Sequence, residues 1–194
     1  MIAGLDRRAA VARLLAGRGD LLVVAGLGSP TYDVAAAGDH ERNFYLWGAM
    51  GAAAMIGLGL ALAQPRLPVL VVTGDGELLM GLGALATIAA QNPPNLTIAV
   101  LDNERYGETG GQKSHTGHAT DLAAVARGCG IADSRTVTRQ DDLPSFAERL
   151  HRVGESSAVG IIKVSQGEPT RVLPARDGAF LKDRFRISLG RVPS

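Results

Sequence analysis

Residues 69–103 read VLVVTGDGELLMGLGALATIAAQNPPNLTIAVLDN. Val69 to Thr73 is a short apolar run, closed by the turn Gly74-Asp75-Gly76. Such a run suits a strand buried on both faces. A helix follows and stops near Asn92-Pro93-Pro94, because proline cannot continue the backbone ladder. Leu96 to Leu101 repeats the apolar strand, and Asp102-Asn103 ends it. Strand, helix and strand in so short a stretch form a parallel βαβ unit.

The same alternation extends in both directions. Upstream, Asp6 caps a helix that runs to about Ala16, stopped by Gly17 and Gly19. Leu21 to Ala25 is a strand. The turn Gly26-Leu27-Gly28-Ser29-Pro30-Thr31 leads into a helix over Tyr32 to Ala37. Asn43 to Leu46 reads as a short strand and Gly51 to Ala63 as a helix of small and apolar residues. Downstream, the segment Glu104 to Thr120 holds Gly107, Gly110, Gly111 and Gly117, the composition of a mobile covering loop. Helices follow at Asp121 to Gly128 and Leu143 to Val153, then a strand at Val159 to Val164. The expected fold is α/β: a single three-layer, doubly wound, mostly parallel sheet with helices on both faces. Residues 1–165 form the domain, and residues 166–194 are read as a surface-wrapping tail.

Composition narrows the function. Twenty basic residues against 19 acidic ones give a net charge of +1, so no electrostatic footprint for nucleic acid or an anionic membrane is present. One cysteine, Cys129, excludes an internal disulfide or a multi-cysteine cluster. The most apolar run, Gly51 to Ala63, is 13 residues long. A membrane helix needs roughly 20. Asp6, Arg7, Arg8 and Arg13 interrupt the first residues, unlike a signal peptide. The expectation is a cytoplasmic protein.

In open α/β sheets, ligands bind beyond the carboxyl ends of the strands. Gly26 to Thr31, Gly74 to Glu77 and Asp102 to Arg105 all fall there. Glycine turns bring backbone N–H groups close to an anion, and a following helix start favours negative charge. The plain reading is a phosphate site. Asp75 and Asn103 add oxygen donors of the kind Mg²⁺ accepts together with phosphate oxygens. Each signal alone also suits an ordinary turn or helix cap.

The combination is more specific. Gly74-Asp75-Gly76, then 25 residues, then Asp102-Asn103, resembles the signature of thiamine-diphosphate enzymes. Leu46-Trp47-Gly48-Ala49-Met50-Gly51, one helix upstream, looks like that family's aminopyrimidine-binding turn. The resemblance covers about Leu21 to Val164 and is nearest to the small subunits of phosphonopyruvate and sulfopyruvate decarboxylases. It implies that Asp75, Asn103 and the Arg105 carbonyl bind Mg²⁺. It also implies that Gly28, Ser29, Thr31, Gly74, Gly76 and Glu77 surround the diphosphate. Gly48, Ala49 and Met50 would meet the aminopyrimidine, with Met50 beneath the bend between the two rings. Asp102 stands where the family usually has asparagine.

The implied activity is loss of CO₂ from a small 2-oxo acid. In the family, a glutamate on a pyrimidine-binding domain completes the site. A chain of this length leaves no room for that domain, so an alpha-type partner subunit is expected to supply it. The small-residue face of Gly51 to Ala63, Gly57 included, is the expected contact. His115 and Glu108 in the glycine-rich segment are the candidate catalytic residues, with Lys113 or Arg105 available to an anionic substrate. A different thiamine-dependent carboligase or oxidoreductase subunit is one alternative. A non-catalytic module binding nucleotide or a partner is another.

Overall fold

The computed structural model describes residues 4–192. Helix α1 (Arg7–Leu15) precedes β1 (Leu22–Ala25), α2 (Ser29–Ala36) and β2 (Asn43–Tyr45). Then come α3 (Ala53–Ala63), β3 (Val69–Gly74), α4 (Asp75–Met80), α5 (Ala84–Gln91) and β4 (Leu96–Asp102). A hairpin of β5 (Arg105–Tyr106) and β6 (Gln112–Lys113) follows. The chain closes with α6 (Leu122–Gly128), β7 (Asp133–Val137), α7 (Leu143–Arg149), β8 (Ala158–Lys163) and α8 (Gly178–Ser188).

Six strands form one parallel sheet in the order β2-β1-β3-β4-β8-β7. Every sheet residue from Leu22 to Ala25 and from Leu96 to Asp102 is buried, as a strand covered on both faces requires. Side chains alternate between two cores. Leu22, Val24, Val69, Val71, Ile98 and Val100 face α3, α5 and α6. Val23, Ala25, Leu70, Val72, Ala99 and Leu101 face α1, α2 and α7. The fold is therefore the expected three-layer doubly wound arrangement. Strand order reverses between β1 and β3, and a crevice opens at the carboxyl ends of strands at such a reversal.

Four local expectations change. The helix after Gly76 is two helices, α4 and α5, interrupted around Gly81. An added Cβ on Gly81 would lie 2.1 Å from the Gly51 carbonyl oxygen, so the break is where two backbones touch. β7 had no strand signal, because only Ser134 and Val137 of its five residues are buried at this sheet edge. The segment 104–120 is built rather than featureless: β5 and β6 pair, with one 3₁₀ turn between them and another after β6. Finally, residues 166–192 contain a helix. Asp177 caps α8, Leu181 enters one core and Phe185 the other, edge-on to Phe44 of β2. This helix shields the β2 edge of the sheet.

Gly57 also differs from its expected role. It is buried toward the sheet, and an added Cβ would lie 2.1 Å from Val71 Cγ2. The outward face of α3 is formed instead by Met55, Gly59 and Leu62.

Candidate active site

The β1–α2 turn, the β3–α4 turn and the segment after β4 meet in one cleft. Its walls include Leu27, Ser29, Pro30, Met50, Gly74, Asp75, Gly76, Glu77, Asn103 and Arg105, with Tyr106 and Glu108 from the hairpin. Of the residues expected to form a site, most are thus brought together. Gly48 and Ala49 lie outside the cleft wall, on the turn after β2 that carries Met50. Thr31 is fully buried, and its hydroxyl donates to the Gly26 carbonyl at 2.8 Å, so it holds the turn from behind.

Gly28 and Gly76 make the close approaches. Gly28 has φ +75°, where other residues are strained, and an added Cβ would lie 2.6 Å from Glu108 Cγ. An added Cβ on Gly76 would lie 2.6 Å from the Tyr106 ring. The hairpin therefore rests directly on the two glycines. Side chains at either position would fill the cradle.

Asp75 is 1% exposed at the end of β3. The Ser114 hydroxyl donates to its Oδ2, as does Thr116 Oγ1 at 3.1 Å. Thr116 Oγ1 also lies 2.7 Å from Asp102 Oδ1. Burial, with Asp102 close by, pushes the Asp75 carboxyl up to about 6. Asp102 has a cation, Lys163 Nζ at 3.0 Å, which also holds Glu104 at 2.6 Å. Among the described residues, Asp75 has hydroxyl donors and no cationic partner. Asn103 Oδ1 accepts from the Arg105 N–H at 3.0 Å, fixing the turn in which Glu104 adopts φ +63°.

One carboxylate with no cationic partner, one amide oxygen and a nearby carbonyl suit a hard divalent cation that also takes phosphate oxygens. Among the described residues, no group of three or more His, Cys, Asp or Glu side chains is arranged to hold a metal. A site of this composition contains no such group. The donors therefore fit Mg²⁺ only as part of a larger set completed by a bound phosphate ligand.

Glu77 turns away from the cleft mouth. Thr73 Oγ1 donates to its Oε2 at 2.7 Å, and the Gly51 and Ala53 backbones also favour its charged form. Burial pushes its carboxyl up. Gly26 is required beside it, since an added Cβ would lie 1.8 Å from Oε2.

The two catalytic candidates separate. Glu108 lies in the cleft wall, and Arg171 Nη2 is 4.0 Å from its Oε1. His115 is exposed outside the wall and reaches it only through Tyr106, whose hydroxyl is 3.1 Å from His115 Nδ1. Lys113 is exposed on β6. Two contributors escaped sequence reasoning. Arg7 enters the cleft from α1. The residues before α8 run past its mouth, where Arg171 stacks on Tyr32, Arg176 stacks on Trp47, and Trp47 Nε1 donates to the Ala175 carbonyl. In the sequence Arg7 serves only to interrupt an apolar start, and the residues before α8 read as a surface-wrapping tail.

The model of the thiamine pyrophosphate enzyme C-terminal TPP binding domain matches residues 28–161. The chain belongs to this family. It is 42% identical over 130 residues to the sulfopyruvate decarboxylase subunit beta of Methanocaldococcus jannaschii, covering 67% of this chain and 69% of that one. It is 41% identical over 178 residues to the phosphonopyruvate decarboxylase of Streptomyces viridochromogenes, covering 85% of this chain but 44% of that protein. A solved Mycobacterium smegmatis chain, described as a thiamin diphosphate-dependent enzyme, superposes with a TM-score of 0.69 at 22% identity. The match covers 85% of this chain and 32% of that one, and it speaks for the fold. Among the described residues, no helix is long and apolar enough to cross a membrane.

Proposed function

We propose that this chain is the diphosphate-binding subunit of a heteromeric, thiamine-diphosphate-dependent 2-oxo acid decarboxylase of the cytoplasm, holding its cofactor through Mg²⁺. The observation that carries this reading is the convergence of Asp75, Asn103, Arg105 and the Gly28 turn on one cleft at the strand-order reversal. The similarity to a decarboxylase beta subunit over most of both chains supports the heteromer.

Asp75, the Asn103 amide and the Arg105 carbonyl would hold Mg²⁺. Gly28, Ser29, Gly74, Gly76 and the Glu77 backbone would hold the diphosphate, and Met50 would support the cofactor between its rings. When bound, the cofactor supplies the electron sink that decarboxylation of a 2-oxo acid needs. An alpha-type partner subunit would supply the activating glutamate. The hairpin carries Tyr106 and Glu108 over the cleft, where they exclude water from the reacting centre. Glu108, which lines the cleft, would hold or move a proton, while His115 would act through the Tyr106 hydroxyl.

The test is CO₂ release from a panel of 2-oxo acids that includes sulfo- and phosphono-substituted ones. The chain, its partner and the mixture are assayed separately with cofactor and Mg²⁺. Turnover is expected only in the mixture, and full turnover by the isolated chain overturns the split-subunit reading. In the mixture, Glu108→Gln is expected to lower kcat by about 100-fold, within the range of one proton-transferring group. His115→Ala should lower it less, since its ring stands outside the cleft. Equal losses would show that the two act as one unit. A thiamine-dependent carboligase or oxidoreductase would use the same cradle and would appear in the panel as product without free aldehyde.

A further inference from the structure

We propose that Arg7 is the cationic floor of the diphosphate site, binding a phosphate oxyanion of the cofactor directly; this rests on the cofactor reading above. The backbone leading into α1 is pinned to the end of β8. Leu5 N–H donates to the Lys163 carbonyl at 2.9 Å, and Ser165 N–H donates to the Leu5 carbonyl at 2.9 Å. Arg7, the first residue of the helix, is therefore delivered to a fixed point beside the strand ends.

Its side chain is 6% exposed. Nε donates to the carboxylate of Asp33, a fully buried residue on α2. Arg8 Nε reaches the other oxygen of the same carboxylate at 3.3 Å, and its Nη2 goes outward to the Thr170 carbonyl. Two guanidinium groups thus share one carboxylate, which leaves this corner with one positive charge in excess. Nη1 and Nη2 of Arg7 make no hydrogen bond among the described residues. Arg7 lines the cleft with its fork unspent, and a phosphate oxygen pair is the ligand its planar geometry matches.

A second feature points at the same ligand. Arg7 shares the cleft wall with Ser29 and Pro30, the start of α2. No side chain caps that helix, so its first N–H groups and its dipole are available to an anion. The cleft wall also includes the acidic residues Asp75 and Glu108. An anion enters such a site only with compensating positive charge. Mg²⁺ at Asp75 and Asn103 and the guanidinium of Arg7 would supply it together.

The experiment uses the full chain assembled with its partner and calorimetric titration with inorganic pyrophosphate plus Mg²⁺, and separately with thiamine diphosphate plus Mg²⁺. The variants are Arg7→Gln, Arg7→Lys and the double variant Arg7→Gln/Asp33→Asn, which leaves no buried carboxylate short of a partner. Thermal melts without ligand accompany each. The proposal expects at least tenfold weaker binding of both ligands in Arg7→Gln and in the double variant. Arg7→Lys, which keeps the charge and loses the fork, should fall between. A double variant that melts like the wild type and binds pyrophosphate within twofold of it overturns the proposal. So does unchanged affinity for both ligands with a raised KM for the anionic 2-oxo acid, which would place Arg7 at the substrate. Wild-type protein that binds neither ligand sinks the cofactor reading itself, a different failure.

Discussion

Asp75→Asn is expected to make the ligand-free protein more stable while removing Mg²⁺-dependent cofactor binding. In the folded chain the Asp75 carboxyl stands at about 6, raised from 3.8 by burial. A folded-state value above the unfolded one means the native state binds the proton more tightly. Ionised Asp75 therefore destabilises the fold at pH 8, by on the order of 3 kcal/mol. Asparagine removes that cost. The stability gap between variant and wild type should be full above pH 6, narrow as pH falls from about 6 to 4, and vanish below that. Denaturant titrations at several pH values measure it. Cofactor binding should move oppositely. In the wild type it should weaken as pH falls through about 6, because Mg²⁺ must then displace a proton. In the variant it should be at least about 100-fold weaker at every pH, as expected for a lost metal-bound carboxylate. A variant that is less stable at pH 8 and binds normally would contradict the assignment of Asp75.

Gly57→Leu is expected to damage the fold itself. Its Cβ would meet Val71 Cγ2 at 2.1 Å, in the centre of the sheet where strand and helix cannot both yield. Overpacking of this kind costs about 3 kcal/mol or more. In a chain of this size that lowers Tm by about 10 °C. Gly59→Leu is the control, since an added Cβ there meets nothing within 4 Å. Its melt should match the wild type, and any effect should appear only when the partner is added. Circular dichroism melts separate the two positions. Equal Tm for both variants would show that α3 is free to move away from the sheet.

The layered fold was legible because its central strands carry an unambiguous signal: continuous apolar runs closed by Gly74-Asp75-Gly76 and by Asp102-Asn103. The cleft was legible for the same reason, since those turns must lie at one sheet edge once the strands are parallel. What periodicity does not report is direction across the helix–sheet interface. Gly57 and Gly59 look alike in sequence, yet one faces Val71 and the other faces outward. β7 was hidden because an edge strand that is half polar resembles a loop. α8 had a usable signal, an Asp177 cap followed by Leu181 and Phe185 four residues apart, which its Arg- and Pro-containing surroundings obscured. Arg7 was obscured by its neighbours too: in Asp6-Arg7-Arg8, one residue caps the helix, one lines the cleft and one turns outward. Only the packing of α1 against α2 tells them apart.

The central claim is that the carboxyl ends of β1, β3 and β4 bind thiamine diphosphate through Mg²⁺. Calorimetric titration of the chain together with its partner, with Mg²⁺ and then with excess chelator, tests it most directly. The account predicts one cofactor per chain with Mg²⁺ and loss of binding on chelation. Absence of binding with Mg²⁺, or binding that the chelator leaves unchanged, would contradict it.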